Sequence, residues 1–339
     1  MSVASQLQSS WLRRGWLAWL LLPLALLYGA VFQLRAACYR VGLIRAKRLP
    51  VPVIVVGNFV IGGAGKTPTT IALVNLLRAR GLKPGIISRG YGRHSELLTL
   101  VARETPASLA GDEPLLMHLR TAAPVAVGAD RVAAGKLLLS AHPALNILIS
   151  DDGLQHRQLA RDAQVIVFDE RGQGNGWLIP AGPLREPMPQ TTPPRSVVLY
   201  NAPSPSTALA GHLVTRRLAG VTSLTDWWSG KEAQAEELAA LRGRPLLAAA
   251  GLARPQRFFD MLRAQGLSIS ELALPDHHDF AALPWPHDTA DVVVTEKDAV
   301  KLQPNAVGAT RVWVATLDFE FSSAFISELM QWLPPTPQT

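Results

Sequence analysis

No stretch of this chain limits its fold as much as residues 57–68, GNFVIGGAGKTP. Ahead of it stands VPVIVVG (51–57), a short β-branched run that reads as a buried strand. Behind it, Thr69 to Arg80 repeats apolar residues at helical spacing (Ile71, Val74, Leu77) and stops at Gly81. Strand, glycine-rich turn and helix, with Gly65-Lys66-Thr67 at the junction, is the context of a phosphate-binding loop. Backbone N–H groups of such a turn, together with the positive end of the following helix, surround phosphate oxygens. On this reading Asn58, Gly62, Gly63, Ala64 and Gly65 form the nucleotide-binding turn. Lys66 reaches the outer phosphates, and the Thr67 hydroxyl holds Mg²⁺. The generic G-x-x-x-x-G-K-[ST] spacing asks for glycine at position 60, where this chain has Val60. The plainer alternative is a glycine-rich strand–helix turn in which Lys66 and Thr67 fall by chance.

A second apolar run, Leu145 to Ser150, ends in Asp151-Asp152-Gly153. Carboxylates at the C-terminal end of a buried strand are where a nucleotide enzyme places its Mg²⁺-associated acids. In open α/β sheets, ligands gather at those strand ends. Further strand-like runs at 84–88, 124–127, 164–168 and 196–200 alternate with helical patterns at 113–120 and 130–140. The expected fold class is therefore α/β, a P-loop NTPase-like core with a mostly parallel sheet. A second, smaller α/β domain follows Trp227-Trp228, with strands near 245–250, 291–295 and 311–316 and a helix over 255–264. With the N-terminal segment described next, the expected parts are residues 1–37, 38–225 and 226–339.

Residues 15–34 carry no charge. As a helix they reach about 30 Å, the thickness of a bilayer's hydrocarbon. Trp16, Trp19 and Tyr28 suit the interfaces, and Pro23 bends a membrane helix without ending it. Arg35 and the poor cleavage site before Cys38 speak against a removed signal peptide. A retained membrane helix is expected, with a helix lying in the interface plane as the other reading. Arg35, Arg40, Arg45, Lys47 and Arg48 outweigh Arg13 and Arg14, which favours a body on the cytoplasmic side. The net charge of +7 (33 Lys+Arg against 26 Asp+Glu) is concentrated in part at this segment. No aromatic-basic motif accompanies it, so nucleic acid is not the expected partner. Cys38 is the single cysteine, which excludes a disulfide scaffold.

Other segments leave alternatives open. Residues 171–194 hold six prolines and four glycines, a long stretch of the kind that is functional or mobile. Within it Arg185 and Glu186 face either a phosphate and a metal, or solvent. Gly111-Asp112-Glu113-Pro114 offers Asp112 as a catalytic base or as a helix cap. Pro275-Asp276-His277-His278-Asp279-Phe280 reads as a metal site, an acid–base histidine oriented by aspartate, or a polar turn. Thr295-Glu296-Lys297-Asp298 looks like a guanine-reading motif with its lysine one position too late. Ser88-Arg89-Gly90-Tyr91-Gly92-Arg93 is a basic turn after a strand end, suited to phosphate or to solvent.

Taken together, the chain resembles the tetraacyldisaccharide 4′-kinases of lipid A synthesis in Gram-negative bacteria. The resemblance rests on GNFVIGGAGKTP (57–68), SRGYGR (88–93), GDEP (111–114), DDGLQHR (151–157), PAGPLREP (180–187), GLARPQRFF (251–259), PDHHDF (275–280) and VVVTEKDAVKL (292–302). The family's own form of the loop shares the Val60 departure. The resemblance implies a kinase of the bacterial inner membrane that moves the γ-phosphoryl of ATP. The acceptor would be the 4′-hydroxyl of an acylated glucosamine disaccharide 1-phosphate. It implies that Lys66 and Thr67 hold phosphates and Mg²⁺, that Asp151 and Asp152 are Mg²⁺-associated acids, and that Asp112 is the base with His277 as its partner. Gln155, His156, Arg185 and Glu186 match further active-site positions. The rival class is a P-loop protein that hydrolyses nucleotide to switch or assemble a partner at the membrane.

Overall fold

The computed structural model describes residues 11–276 and 278–333. In chain order it runs α1 (Trp16–Arg40), β1 (Val53–Gly57), α2 (Lys66–Arg78), β2 (Pro84–Ser88), β3 (Thr99–Val101), α3 (Ala107–Ala110) and α4 (Asp112–Thr121). Then follow β4 (Val125–Val127), α5 (Arg131–Ala141), β5 (Ile147–Asp151), β6 (Ala163–Asp169), β7 (Ser196–Asn201) and β8 (His212–Leu213). The remainder is β9 (Thr215–Ser223), α6 (Leu224–Ser229), α7 (Ala235–Ala240), β10 (Leu246–Ala250), α8 (Pro255–Ala264), β11 (Ile269–Ala273), β12 (Asp291–Thr295), α9 (Glu296–Ala299), β13 (Arg311–Glu320) and α10 (Ser323–Met330).

The chain forms two compact units, both discontinuous in sequence. The first holds the described residues through Arg89, then Ala123–Thr215 and those from Glu320 onward. Its strands lie in the order β4-β2-β5-β1-β6-β7-β8. The pairs are parallel. All five residues of β1 and of β5 are buried, as expected where helices cover both faces of a parallel sheet. Val53, Val55, Ile87, Leu148, Ile166, Phe168 and Tyr200 form its core. Register then does the positioning: Val56 lies beside Asp151, and Ile87 beside Ser150. The acids that end β5 thus stand next to the exit of β1, where the glycine-rich turn begins. The second unit, Gly90–Ala122 with Arg216–Phe319, carries a sheet of order β11-β10-β12-β13-β9 around Ala248, Phe258, Phe259, Leu262 and Val293.

Helix α1 extends past the uncharged run, through Arg35 to Arg40. Its buried residues are Ala18, Ala25, Gly29 and Ala36, all small and all on one side. Trp16, Leu20, Leu24, Leu26, Leu27, Val31 and Leu34 are exposed. Among the described residues this is the one helix long and apolar enough to cross a membrane.

Candidate functional site

The turn between β1 and α2 is shaped by glycine. Gly62 and Gly65 sit at φ of 103° and 98°, a region that side chains with a Cβ seldom adopt. A Cβ on Gly62 would also approach Arg171 Nη1 to 2.9 Å. Gly65 is the N-cap of α2, so Lys66 and Thr67 open the helix. Lys66, Thr67 and the fully enclosed Asn58 are buried. Asn58 Nδ2 donates to the Gly62 carbonyl at 3.2 Å, while its Oδ1 accepts from Lys66 Nζ at 3.4 Å. Asn201 Nδ2 donates to the Ala64 carbonyl at 3.0 Å. The turn is therefore stitched from inside.

The proline-rich segment is not a free loop at this point. Ile61 N donates to the Pro183 carbonyl at 2.9 Å and Arg185 N to the Phe59 carbonyl at 2.7 Å. That pairing delivers Arg185 to the end of β5. Arg185 Nη1 lies 2.7 Å from Asp152 Oδ1 and donates to Gln155 Oε1 at 3.3 Å. Lys66 Nζ stands 3.7 Å from the same Asp152 oxygen. Burial raises the Asp152 pKa, but the Lys66 and Arg185 charges outweigh it and hold the carboxyl below its ordinary value. Asp151 is almost fully enclosed, its two oxygens accepting from Thr70 Oγ1 at 3.2 Å and Ser88 Oγ at 3.5 Å. Gln155 Nε2 donates to the Asn58 carbonyl and to Glu186 Oε1, and Arg157 pairs with Glu186 at 3.3 Å. Burial pushes the Glu186 carboxyl up, with Gln155 and Arg157 pulling the other way.

His156 differs from its neighbours. Its Nε2 is buried without a hydrogen-bond partner among the described residues. Burial, then the nearby Arg131 charge, lowers its pKa from an ordinary 6.5 to about 4. Below about pH 6.5 the unfolded chain therefore binds a proton that the folded chain does not, and stability falls as pH drops toward 4. His156→Gln should flatten the decline of Tm across that window, read by thermal scans in detergent. Equal slopes for the two proteins would remove the assignment.

In the second unit, the cap position before α4 falls on Gly111 and not on Asp112. Gly111 adopts a φ of 89°, and a Cβ there would lie 3.0 Å from Gly90 Cα. Asp112 becomes the first helical residue, its carboxylate 3.1 Å from Lys301 Nζ. Lys301 also donates to the His278 carbonyl at 2.9 Å. His277 lies outside the described residues. The Thr295–Asp298 segment that looked like a guanine reader has a local role. Thr295 caps α9, accepting from Asp298 N, and Asp298 accepts from Gly251 N at 3.1 Å. Glu296 meets Arg120 and Trp227.

With this geometry in view, a family model described as "LpxK: Tetraacyldisaccharide-1-P 4′-kinase" matches residues 17–334. The chain belongs to the tetraacyldisaccharide 4′-kinase family. A tetraacyldisaccharide 4′-kinase of Methylibium petroleiphilum is 55% identical over 334 residues, covering 97% of this chain and 93% of that protein. One of Leptothrix cholodnii is 54% identical over 336 residues, covering 98% and 97%. The crystal structure of LpxK from Aquifex aeolicus in complex with ATP is 27% identical, with a TM-score of 0.77, covering 93% of this chain and 98% of that one.

In this tetraacyldisaccharide 4′-kinase family member, one network brings together Asn58, Lys66, Asp152, Gln155, Arg185 and Glu186, all predicted from sequence. Thr67 and Asp151 adjoin it from α2 and β5. Sequence reasoning passed over Thr70, Arg171 and Asn201, and quoted Ser88 and Lys301 only within SRGYGR and VVVTEKDAVKL, with no role of their own. Thr70 lies on the same helix one turn beyond Lys66, so helical periodicity carried a signal for it. Arg171 and Asn201 approach from distant parts of the chain and had none.

Proposed function

We propose that this chain transfers the γ-phosphoryl group of ATP to the 4′-hydroxyl of a tetraacylated glucosamine disaccharide 1-phosphate, a lipid A precursor, at the cytoplasmic face of a bacterial inner membrane. One observation carries the reading: a stitched GKT turn, with Lys66 and Arg185 converging on Asp152, in a chain whose family relatives are named for this activity. Phosphoryl transfer asks for positioning and neutralised charge more than for covalent help. The Gly62–Gly65 amides bind phosphate oxygens. Lys66 and Arg185 offset the charge that develops on the transferring group. Asp112 takes the acceptor's proton, with Lys301 fixing its carboxylate and His277 as its partner.

Mg²⁺ fits the residues present. It takes one or two carboxylates together with phosphate oxygens and water, so it needs no all-protein cage. Among the described residues no group of three His, Cys, Asp or Glu could form one. Thr67 with Asp151 and Asp152 would hold the ion, which would screen the phosphate oxygens when bound. Glu186 orients Gln155 and Arg157. The deciding assay is labelled ATP with the acylated disaccharide 1-phosphate in mixed micelles, scored for labelled lipid. ATP hydrolysis without lipid labelling would favour the switch or assembly class, which the family relatives do not support.

An acylated acceptor explains the N-terminal helix, since its chains remain in the bilayer while the head group reaches the enzyme. Helix α1 touches the rest of the first unit repeatedly: Trp19 meets Trp177 edge-on at 4.8 Å, and Arg157 covers Phe32 at 4.9 Å. A helix held along one face suits the interface plane, with the Leu20, Leu24, Leu27 and Val31 side in lipid. Replacing those four residues by serine should raise the soluble fraction at least about tenfold, because each buried leucine contributes roughly 2 kcal/mol. ATP affinity should hold. A pelleting assay checks it, and unchanged membrane binding would place the lipid contact elsewhere.

A further inference from the structure

The contacts between α1 and the proline-rich segment reach one of the charged residues of the phosphate site. Tyr28 Oη donates to the Arg185 carbonyl at 2.6 Å. On the other side, the Arg185 N–H donates to the Phe59 carbonyl at 2.7 Å. Both polar groups of this residue's backbone are thus held, one by the lead into the glycine-rich turn and one by the helix that faces lipid. The guanidinium that contacts Asp152 leaves from that clamped backbone.

Neighbouring contacts fix the same helix, and the residues just before it, to the same segment. Trp11 Nε1 donates to the Pro180 carbonyl at 3.0 Å, and Arg14 Nε to the Asn175 carbonyl at 3.1 Å. Gly29 lies against Leu178 so closely that a Cβ on it would come within 2.8 Å of the leucine's Cδ1. One turn beyond Tyr28, Phe32 carries Arg157, the ion-pair partner of Glu186. An anchor needs none of this. A helix serving only to hold the body at the membrane would do so through a flexible connection, with no hydrogen bond into the charged network.

We propose that Tyr28 is a positioning residue for Arg185, and that α1 thereby couples its seating in the membrane to the geometry of the phosphate site. This rests on the kinase reading above, in which Arg185 neutralises charge during transfer. Tyr28 acts through the Arg185 backbone and touches no reacting group.

Tyr28→Phe tests it, because the ring and its apolar contacts remain and only the hydroxyl goes. Losing one such hydrogen bond should lower kcat about three- to tenfold, with membrane pelleting unchanged and Tm lowered by no more than a few degrees. The decisive measurement is a double-mutant cycle on kcat in one micelle composition. In an Arg185→Ala background, Tyr28→Phe should cost nothing further. An equal loss in both backgrounds, or no loss in the wild-type background, overturns the proposal. If Arg185→Ala lowers kcat while Tyr28→Phe does not, this inference alone fails. If Arg185→Ala leaves kcat unchanged, the inference falls together with the role given to Arg185.

Discussion

Lys66→Ala should reduce phosphoryl transfer to lipid by at least about a thousandfold, the scale on which a preorganised charge at a transferring phosphoryl group acts. Lys66 is buried at the first turn of α2, and its ammonium is held at 3.4 Å from Asn58 Oδ1 and 3.7 Å from Asp152 Oδ1. Those partners aim the charge before any ligand arrives, so little reorganisation is left for the reaction itself. Removing it should spare the fold. The turn is shaped by Gly62 and Gly65 and braced by Asn58 and Asn201, and Asp152 keeps its 2.7 Å contact with Arg185. Tm should therefore stay close to wild type while turnover disappears. Lys66→Arg should recover little, since a planar guanidinium does not fit a pocket built for a compact ammonium. Turnover near the wild-type rate in purified Lys66→Ala would defeat the nucleotide-site assignment outright.

Asp112→Asn should lower kcat by about a hundred- to ten-thousandfold, the usual contribution of a positioned general base. The amide is nearly isosteric with the carboxylate and still offers Lys301 an acceptor oxygen, so the 3.1 Å contact can survive. Helix α4 should persist too, because its N-cap is Gly111, not the substituted residue. What the variant lacks is a group able to take the sugar proton. ATP affinity, measured by equilibrium binding, should change by less than about twofold, since Asp112 binds no phosphate in this scheme. A large loss of ATP binding with little change in kcat would move Asp112 out of the base role.

Much of the architecture was legible from local pattern. Runs such as VIVVG and DVVVT can be buried on both faces only in a covered parallel sheet, and both became central strands. Pro255 and the apolar spacing after it marked α8, observed as Pro255–Ala264. The GKT turn was readable because its chemistry is contiguous: the glycines that permit positive φ and the lysine they present sit within a few residues. Asp151 and Asp152 were readable for the same reason, as acids ending a strand. Asp112 shows the limit. Its position at a helix start was visible, but a shift of one residue separates the cap from the first helical residue, and only the backbone at Gly111 settles which it is.

What the amino-acid order determined by itself, then, is a set of short-range facts: where strands and helices form, which turn is rich in glycine and ends in Lys-Thr, and which segment is apolar enough for a membrane. Backbone propensity and hydrophobic period act over a few residues, and these features need nothing more. The tertiary structure alone decided the partners. Arg185 could have been a solvated loop charge until its backbone paired with Phe59 and its side chain met Asp152. Lys301 and Asp112 lie far apart in sequence, as do Tyr28 and Arg185, yet each pair is in contact. Such contacts depend on strand register and on which helix face is covered, quantities set by the packing of the whole unit and written in no single segment.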